Sequence, residues 1–226
     1  WTPLTALDVD NNLTVSYGTF SRNAIPVTVG GNLTTGASGY WSGVATTTFD
    51  GSGTKNWSDA NSTLQNVGRV LVDGSSKSVQ LTGNVKAESI TIGADDILDA
   101  STGNFDITVL SNWVNNNTFV ARFGEVIMSA TTTNRTITAG GDAFFDLSFT
   151  GPGSWSFTEA DLTVGNDFRI GTGTVTMPTG TTTLAGSWSS VGGTFAHNNG
   201  TLFMTSSGSE TLAASGTPFT NNFYDL

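Results

Sequence analysis

The residues able to do chemistry are few and scattered. His197 is the single histidine and there is no cysteine, so a thiolate nucleophile, a disulfide framework and a Cys-based metal site are all excluded. A catalytic triad needs a nucleophile, a base and an orienting acid that converge. No G-x-S-x-G elbow occurs, and His197 lies in AHNNG, which reads as an exposed turn. Hard oxygen ligands are the more promising group. Asp95, Asp96 and Asp99 form the densest acidic cluster and could hold Ca2+; Asp8, Asp10, Asn11 and Asn12 form a second set, although neither matches an EF-hand or a G-G-x-G-x-D repeat. The same Asp95, Asp96 and Asp99 are the best pair-forming carboxylates for glycoside hydrolysis. Among the aromatics, Tyr40 and Trp41 are the candidate ligand-binding pair. Flat rings stack on sugars, and neighbours on a strand face opposite ways, so one of the two points outward.

The elements that position these residues are strands. Charged residues are 12% of the chain, about half the usual share of ~25%, so the polar surface must be Thr, Ser and Asn. Thr packs well on a pleated sheet, while the 28 Gly and the many Asn suit tight turns. Fourteen Phe and six Trp argue for a packed core rather than a disordered linker. The net charge of −10 with only eight Lys and Arg argues against a nucleic-acid partner and an anionic membrane surface, and no apolar run is long enough to span a bilayer.

Short apolar/polar alternations broken by Gly and Asn run through the whole chain, each reading as a strand of about four to six residues. Longer similarities are superimposed on them. ITVLSNWVNNNTFVARFGEVIMSATTTNRTITAGGDAFFDLSF matches TTLAGSWSSVGGTFAHNNGTLFMTSSGSETLAASGTPFTNNFYDL over most of its length, aligning Trp113 with Trp188, Met128 with Met204, Ile137 with Leu212 and Phe145-Asp146-Leu147 with Tyr224-Asp225-Leu226. Three imperfect units of about 75 residues follow (1–78, 79–150 and 151–226), and within each the apolar clusters return about every 20 residues. That short period predicts an all-β fold, a parallel β-helix (β-solenoid) of about eleven turns stacked at ~4.8 Å. An antiparallel sandwich is the alternative. The pattern shows no cap and stops at NNFYDL where its upstream sibling continues, so the segment is expected to belong to a longer array, with neighbouring copies or further repeats stacked end to end.

The unit LTVGNDFRIGTGTVTMPTGTTTLAGSWSSVGGTFAHNNGTLFMTSSGSETLAAS resembles very large secreted and surface-attached bacterial repeat proteins, of the autotransporter-passenger and filamentous-adhesin kind. The resemblance spans the chain and rests on short Gly/Asn/Thr motifs. It implies a right-handed β-helix outside the cell, secreted or at the cell surface, and carries no catalytic residues. The Asp pairs with G-H-G and R-I-K of β-helix polygalacturonases are missing, as are the basic residues beside acidic calcium ligands of pectate lyases. The expected function is therefore non-enzymatic: a stiff structural rod in a filament, coat or adhesin stalk. The alternative is a carbohydrate-binding or polysaccharide-cleaving β-helix with a glycan partner, as in tail spikes.

Overall fold

A computed structural model describes residues 1–214 and 223–224. Those residues contain strands and turns and no helix. The chain divides into two compact units, Trp1–Thr108 with Asn115–Arg122, and Val109–Val114 with Phe123–Leu226. Each is a β-solenoid. The strand pairings within each unit are parallel and join residues 19 to 24 apart, as in Leu7↔Val27, Ile97↔Ser78 and Leu33↔Trp57 of the first unit and Ser154↔Thr174 and Trp188↔Leu212 of the second. A sandwich of hairpins would pair antiparallel neighbours, so that alternative is set aside. The 20-residue recurrence in the sequence is the length of one coil.

In the first unit, strands Leu7–Val9, Val27–Val29, Thr46–Phe49, Arg69–Val72 and Ser89–Ile92 stack in one ladder. Alternation sends every second residue inward. Val29, Phe49, Val72 and Ile92 therefore form one apolar file, and Val27, Thr47, Val70 and Ile90 another, all of them buried. A second ladder, Leu13–Ser21, Leu33–Ser42, Gly53–Asp59, Lys77–Leu81, Ile97–Asp99 and Thr118–Val120, adds the file Leu33, Trp57 and Leu81. Two long strands, Leu13–Ser21 and Leu33–Ser42, come so close that a Cβ on Gly39 would stand 1.8 Å from the Val15 carbonyl oxygen. Only glycine fits there.

The second unit has three ladders. Glu125–Met128, Asp146–Phe149, Phe168–Ile170, Trp188–Ser190 and Leu212–Ala214 make one; Arg135–Thr138, Ser154–Phe157, Thr174–Thr176 and Thr194–Ala196 the next; Leu162–Val164, Thr181–Leu184 and Thr201–Met204 the third. Their inward files are aromatic-rich: Val126, Leu147, Phe168 and Trp188 in the first, and Trp155, Val175 and Phe195 in the second.

Asparagine and aspartate do more than turn the chain. At the coil corners a side-chain oxygen accepts the backbone N–H of the next coil, as from Asn32 to Asn12 Oδ1 and from Asn56 to Asn32 Oδ1, both 2.8 Å, and from Thr181 to Asp161 Oδ1 at 2.7 Å. These latches satisfy corner amides that the strand ladders do not reach. Asn12 and Asn32 each begin an N-x-S/T triplet, as does Asn61, which is buried and donates its Nδ2–H to the Gly39 carbonyl.

The 75-residue offset does not carry a residue to the same place in a coil. Trp113 pairs with Ile137 in the ladder that continues through Trp155, whereas Trp188 pairs with Leu212 in another. Met128 and Met204 likewise occupy different ladders. Every side of a coil presents inward apolar residues, so aligning like with like does not fix the side. The strand expected at NNFYDL lies outside the described residues apart from Phe223 and Tyr224. Aromatic covers, unforeseen in the sequence, lie over the files: Trp1 stacks on Phe20 with centroids 5.3 Å apart, and Phe223 packs against Trp188 and Phe195 at 5.3 and 5.0 Å.

Candidate functional site

The acidic cluster is placed by the coil that follows Ile92. Asp96 is fully buried, its Oδ1 accepting the Lys77 N–H at 2.8 Å and its Oδ2 the Gly74 N–H at 3.2 Å, while Asp95 Oδ2 accepts the Ser76 N–H at 3.1 Å. The two acids thus fasten the 74–77 turn of the preceding coil. Burial pushes the Asp96 carboxyl up, and the amides of Lys77 and Gly74 pull it back. Asp99 faces elsewhere. Arg122 grips it with Nε and Nη2, both at 2.9 Å, and the Ser101 N–H adds a bond of 2.8 Å. The three carboxylates do not converge, and among the described residues no group of three or more His, Cys, Asp or Glu is arranged to hold a metal ion. In the other proposed oxygen set, Asp8 accepts from the Thr28 hydroxyl and Asn12 is one of the corner latches.

The Arg122 hydrogen bonds hold the Asp99 carboxyl below the usual carboxylate range. The sign of its pH dependence follows. With the folded pKa under the unfolded value, the pair's contribution is complete above the unfolded pKa of about 3.9 and is lost as pH falls through the lowered folded value. Arg122→Gln is expected to lower stability between pH 6 and 8, where the pair's contribution is complete, and to move the acid-unfolding midpoint to higher pH; an acid titration followed by circular dichroism that shows no movement would remove this role.

Tyr40 and Trp41 sit side by side on the strand Leu33–Ser42 and are divided by alternation. Trp41 is 8% exposed. Its Nε1–H donates to Thr35 Oγ1 at 2.9 Å, and its ring meets Phe20 edge-on at 5.1 Å. Tyr40 is 47% exposed and lies opposite Thr19 on the neighbouring strand. As a sugar-stacking surface the pair reduces to Tyr40. Trp113 and Trp188 are buried, as read from the sequence.

Comparison of the chain with family models, curated proteins and solved structures finds no match. The chemistry of the site therefore rests on geometry alone.

Two buried cations escaped the sequence reading. Arg22 is 0% exposed and forms no ion pair among the described residues; its guanidinium donates to Thr47 Oγ1 at 2.6 Å, to the Val67 carbonyl at 2.7 Å and to the Gly43 carbonyl at 3.3 Å, and lies 5.0 Å from the Trp41 ring centroid. Burial pulls its pKa down to about 10. This one side chain ties residues from three successive coils. Lys77 is equally buried, and its Nζ has no hydrogen-bond partner among the described residues. The signal was parity: Arg22 is two residues after inward Phe20, and Lys77 two before inward Val79. His197 closes its own turn, with Nδ1 accepting the Asn199 N–H at 2.9 Å, and its ring stacks on Tyr224 at 5.4 Å.

Proposed function

We propose that the chain is a non-enzymatic structural repeat segment of an extracellular protein, a stiff spacer within a surface filament, coat or adhesin stalk. In this reading the coils are right-handed, the segment belongs to a longer array of the kind seen in autotransporter passengers and filamentous adhesins, and neighbouring copies or repeats stack on its ends. The observation that carries it is the unbroken stacking within each unit, where parallel ladders run from coil to coil with apolar files beneath them and side-chain latches at the corners. In such a unit each coil is held to the next by parallel backbone pairing, and stability accrues coil by coil through these neighbour contacts. The candidate residues of the sequence support the same reading: Asp95, Asp96, Asp99 and Asn12 bond to neighbouring coils. Negative-stain electron microscopy of the purified chain tests it. End-to-end filaments or stacked particles are expected, and a monodisperse monomer that cleaves a polysaccharide would overturn it.

The second reading, a carbohydrate-binding β-helix, is favoured by one observation, the outward Tyr40 beside the exposed Tyr17. It predicts glycan-array binding that Tyr40→Ala abolishes and Trp41→Phe leaves intact. Absence of binding, or equal loss in both variants, removes that reading.

A further inference from the structure

The chain contains seven N-x-S/T triplets, the pattern an N-glycosyl transferase reads, and the fold separates them. Asn61 is buried with its Nδ2–H given to the Gly39 carbonyl, and Asn116 gives an Nδ2–H to the Ile92 carbonyl at 2.9 Å. Asn12, Asn32 and Asn56 follow one another on successive coils, because the residues after them pair as Leu13↔Leu33 and Leu33↔Trp57. Two of the three serve as latches through Oδ1. Leu33 and Trp57 are buried, which pins the middle of the Asn32 and Asn56 triplets in the core. Coils stand about 4.8 Å apart, so a sugar on one asparagine of this column would crowd the next.

Asn134 and Asn199 differ in each respect. Both are exposed, both have a left-handed backbone, with φ of 61° and 62°, and each comes directly before a strand, Arg135–Thr138 or Thr201–Met204. Asparagine tolerates that backbone. The turns are held by main-chain donors: the Asn134 N–H donates to Ser154 Oγ at 3.0 Å, the Asn199 N–H to His197 Nδ1 at 2.9 Å and the Gly200 N–H to the His197 carbonyl at 2.9 Å. Neither asparagine's side-chain amide has a hydrogen-bond partner among the described residues. Asn134 ends a run from Thr131 in which all four residues are exposed, and Asn199 stands beside exposed Asn198 and before Gly200, which has no side chain. The hydroxyl of each triplet is placed outward as well. Thr136 precedes buried Ile137 and Thr201 precedes buried Leu202, and alternation sends each threonine to the opposite side.

We propose that Asn134 and Asn199 are the N-glycan acceptors of the folded chain, an assignment that rests on the extracellular reading above, since export is what brings a chain to the transferase. The donor is an oligosaccharide carried on a polyprenyl diphosphate. Nδ2 attacks the anomeric carbon, a C–N bond forms as the C–O bond to the diphosphate breaks, the diphosphate leaves with the electron pair, and a base of the transferase takes one Nδ2 proton. No hydrogen bond of the fold is lost. The test incubates the purified, folded chain with an oligosaccharide transferase specific for N-x-S/T and its lipid-linked donor, and locates the sugar by peptide mapping with mass spectrometry. Sugar is expected on Asn134 and Asn199 and absent from Asn61 and Asn116. Synthetic peptides carrying the Asn61 and Asn134 triplets should both be accepted, which assigns the difference to the fold. Thr136→Val keeps the β-branched shape and removes the hydroxyl; with folding checked by thermal melting, it should abolish sugar at Asn134 and leave Asn199 modified. Because the reaction is run on purified chain, its failure is distinct from failure of the extracellular reading, which fractionation of the source cells decides. Sugar on Asn61 or Asn116 of the folded chain to the extent found on Asn134 would overturn the assignment. So would a folded chain left bare at Asn134 and Asn199 by an enzyme that modifies both peptides.

Discussion

Phe149→Ala is expected to lower the unfolding free energy of the second unit by about 3–5 kcal/mol, the range for truncating a buried aromatic. Phe149 is 0% exposed and joins two ladders. Its ring lies 5.6 Å from Phe168 in its own ladder, and 5.1 and 6.4 Å from Trp155 and Phe157 in the facing one. Edge-to-face pairs of this kind are worth about 0.5–1.5 kcal/mol beyond the area they bury. The site has little means of collapse. Met128 and Ile170, its neighbours in the file, are fixed by backbone pairing on either side, so a void left by the ring stays open and its lining loses contacts outright. Phe203→Ala is the matched control, because Phe203 is 55% exposed and such surface changes stay within about 0.5 kcal/mol. Urea unfolding of both variants checks the contrast. A loss under about 1 kcal/mol for Phe149→Ala would mean that the coils settle together and the files are not rigid.

That rigidity was legible in the sequence only in part. The alternation in PVTV, TTTF, VLV and SITI is sufficient to predict strands, and its 20-residue return predicts the coil, because both depend on local periodicity. Which side of a coil a residue occupies depends on coil length. Coils vary between 19 and 24 residues, so Trp113 and Trp188 align as letters and separate in space. The partners of the acids were hidden for a related reason. Their partners come from neighbouring coils, Lys77 for Asp96 and Arg122 for Asp99, and nothing local in GADDILDA indicates that its oxygens are taken. For Tyr40 and Trp41 the alternation was visible but not its phase, which is set by the inward Leu33 and Thr35 of the same strand.

Lys77 is the place where sequence and core disagree most, and replacing it is expected to strengthen the protein. Its parity with Val79 and Leu81 sends it inward, its Gly53 neighbour has no side chain to meet it, and its Nζ is left without a partner among the described residues. Burial lowers its pKa below the ordinary lysine value and the nearby Lys55 lowers it further, while Asp50 and Asp96 oppose the shift without cancelling it. Lys77→Met keeps the length of the side chain and removes the charge. Exchanging buried charges for well-packed apolar groups is often neutral or stabilising by about 1–4 kcal/mol, and the missing partner places Lys77 at the stabilising end. The pH dependence distinguishes a charge effect from a packing effect. Because the folded pKa lies below the unfolded one, the native lysine binds its proton less well than the unfolded chain does. The wild type therefore bears the full penalty below the lowered folded value and gains stability as pH rises from there towards the unfolded value of about 10.4. The advantage of Lys77→Met should be greatest near neutral pH and shrink across that window, in urea unfolding followed at pH 7 and at successive steps to pH 10.5. An advantage that does not vary with pH would show that the methionine merely packs better. A loss of stability at every pH would show that Asp50 and Asp96 hold the ammonium more strongly than burial opposes it.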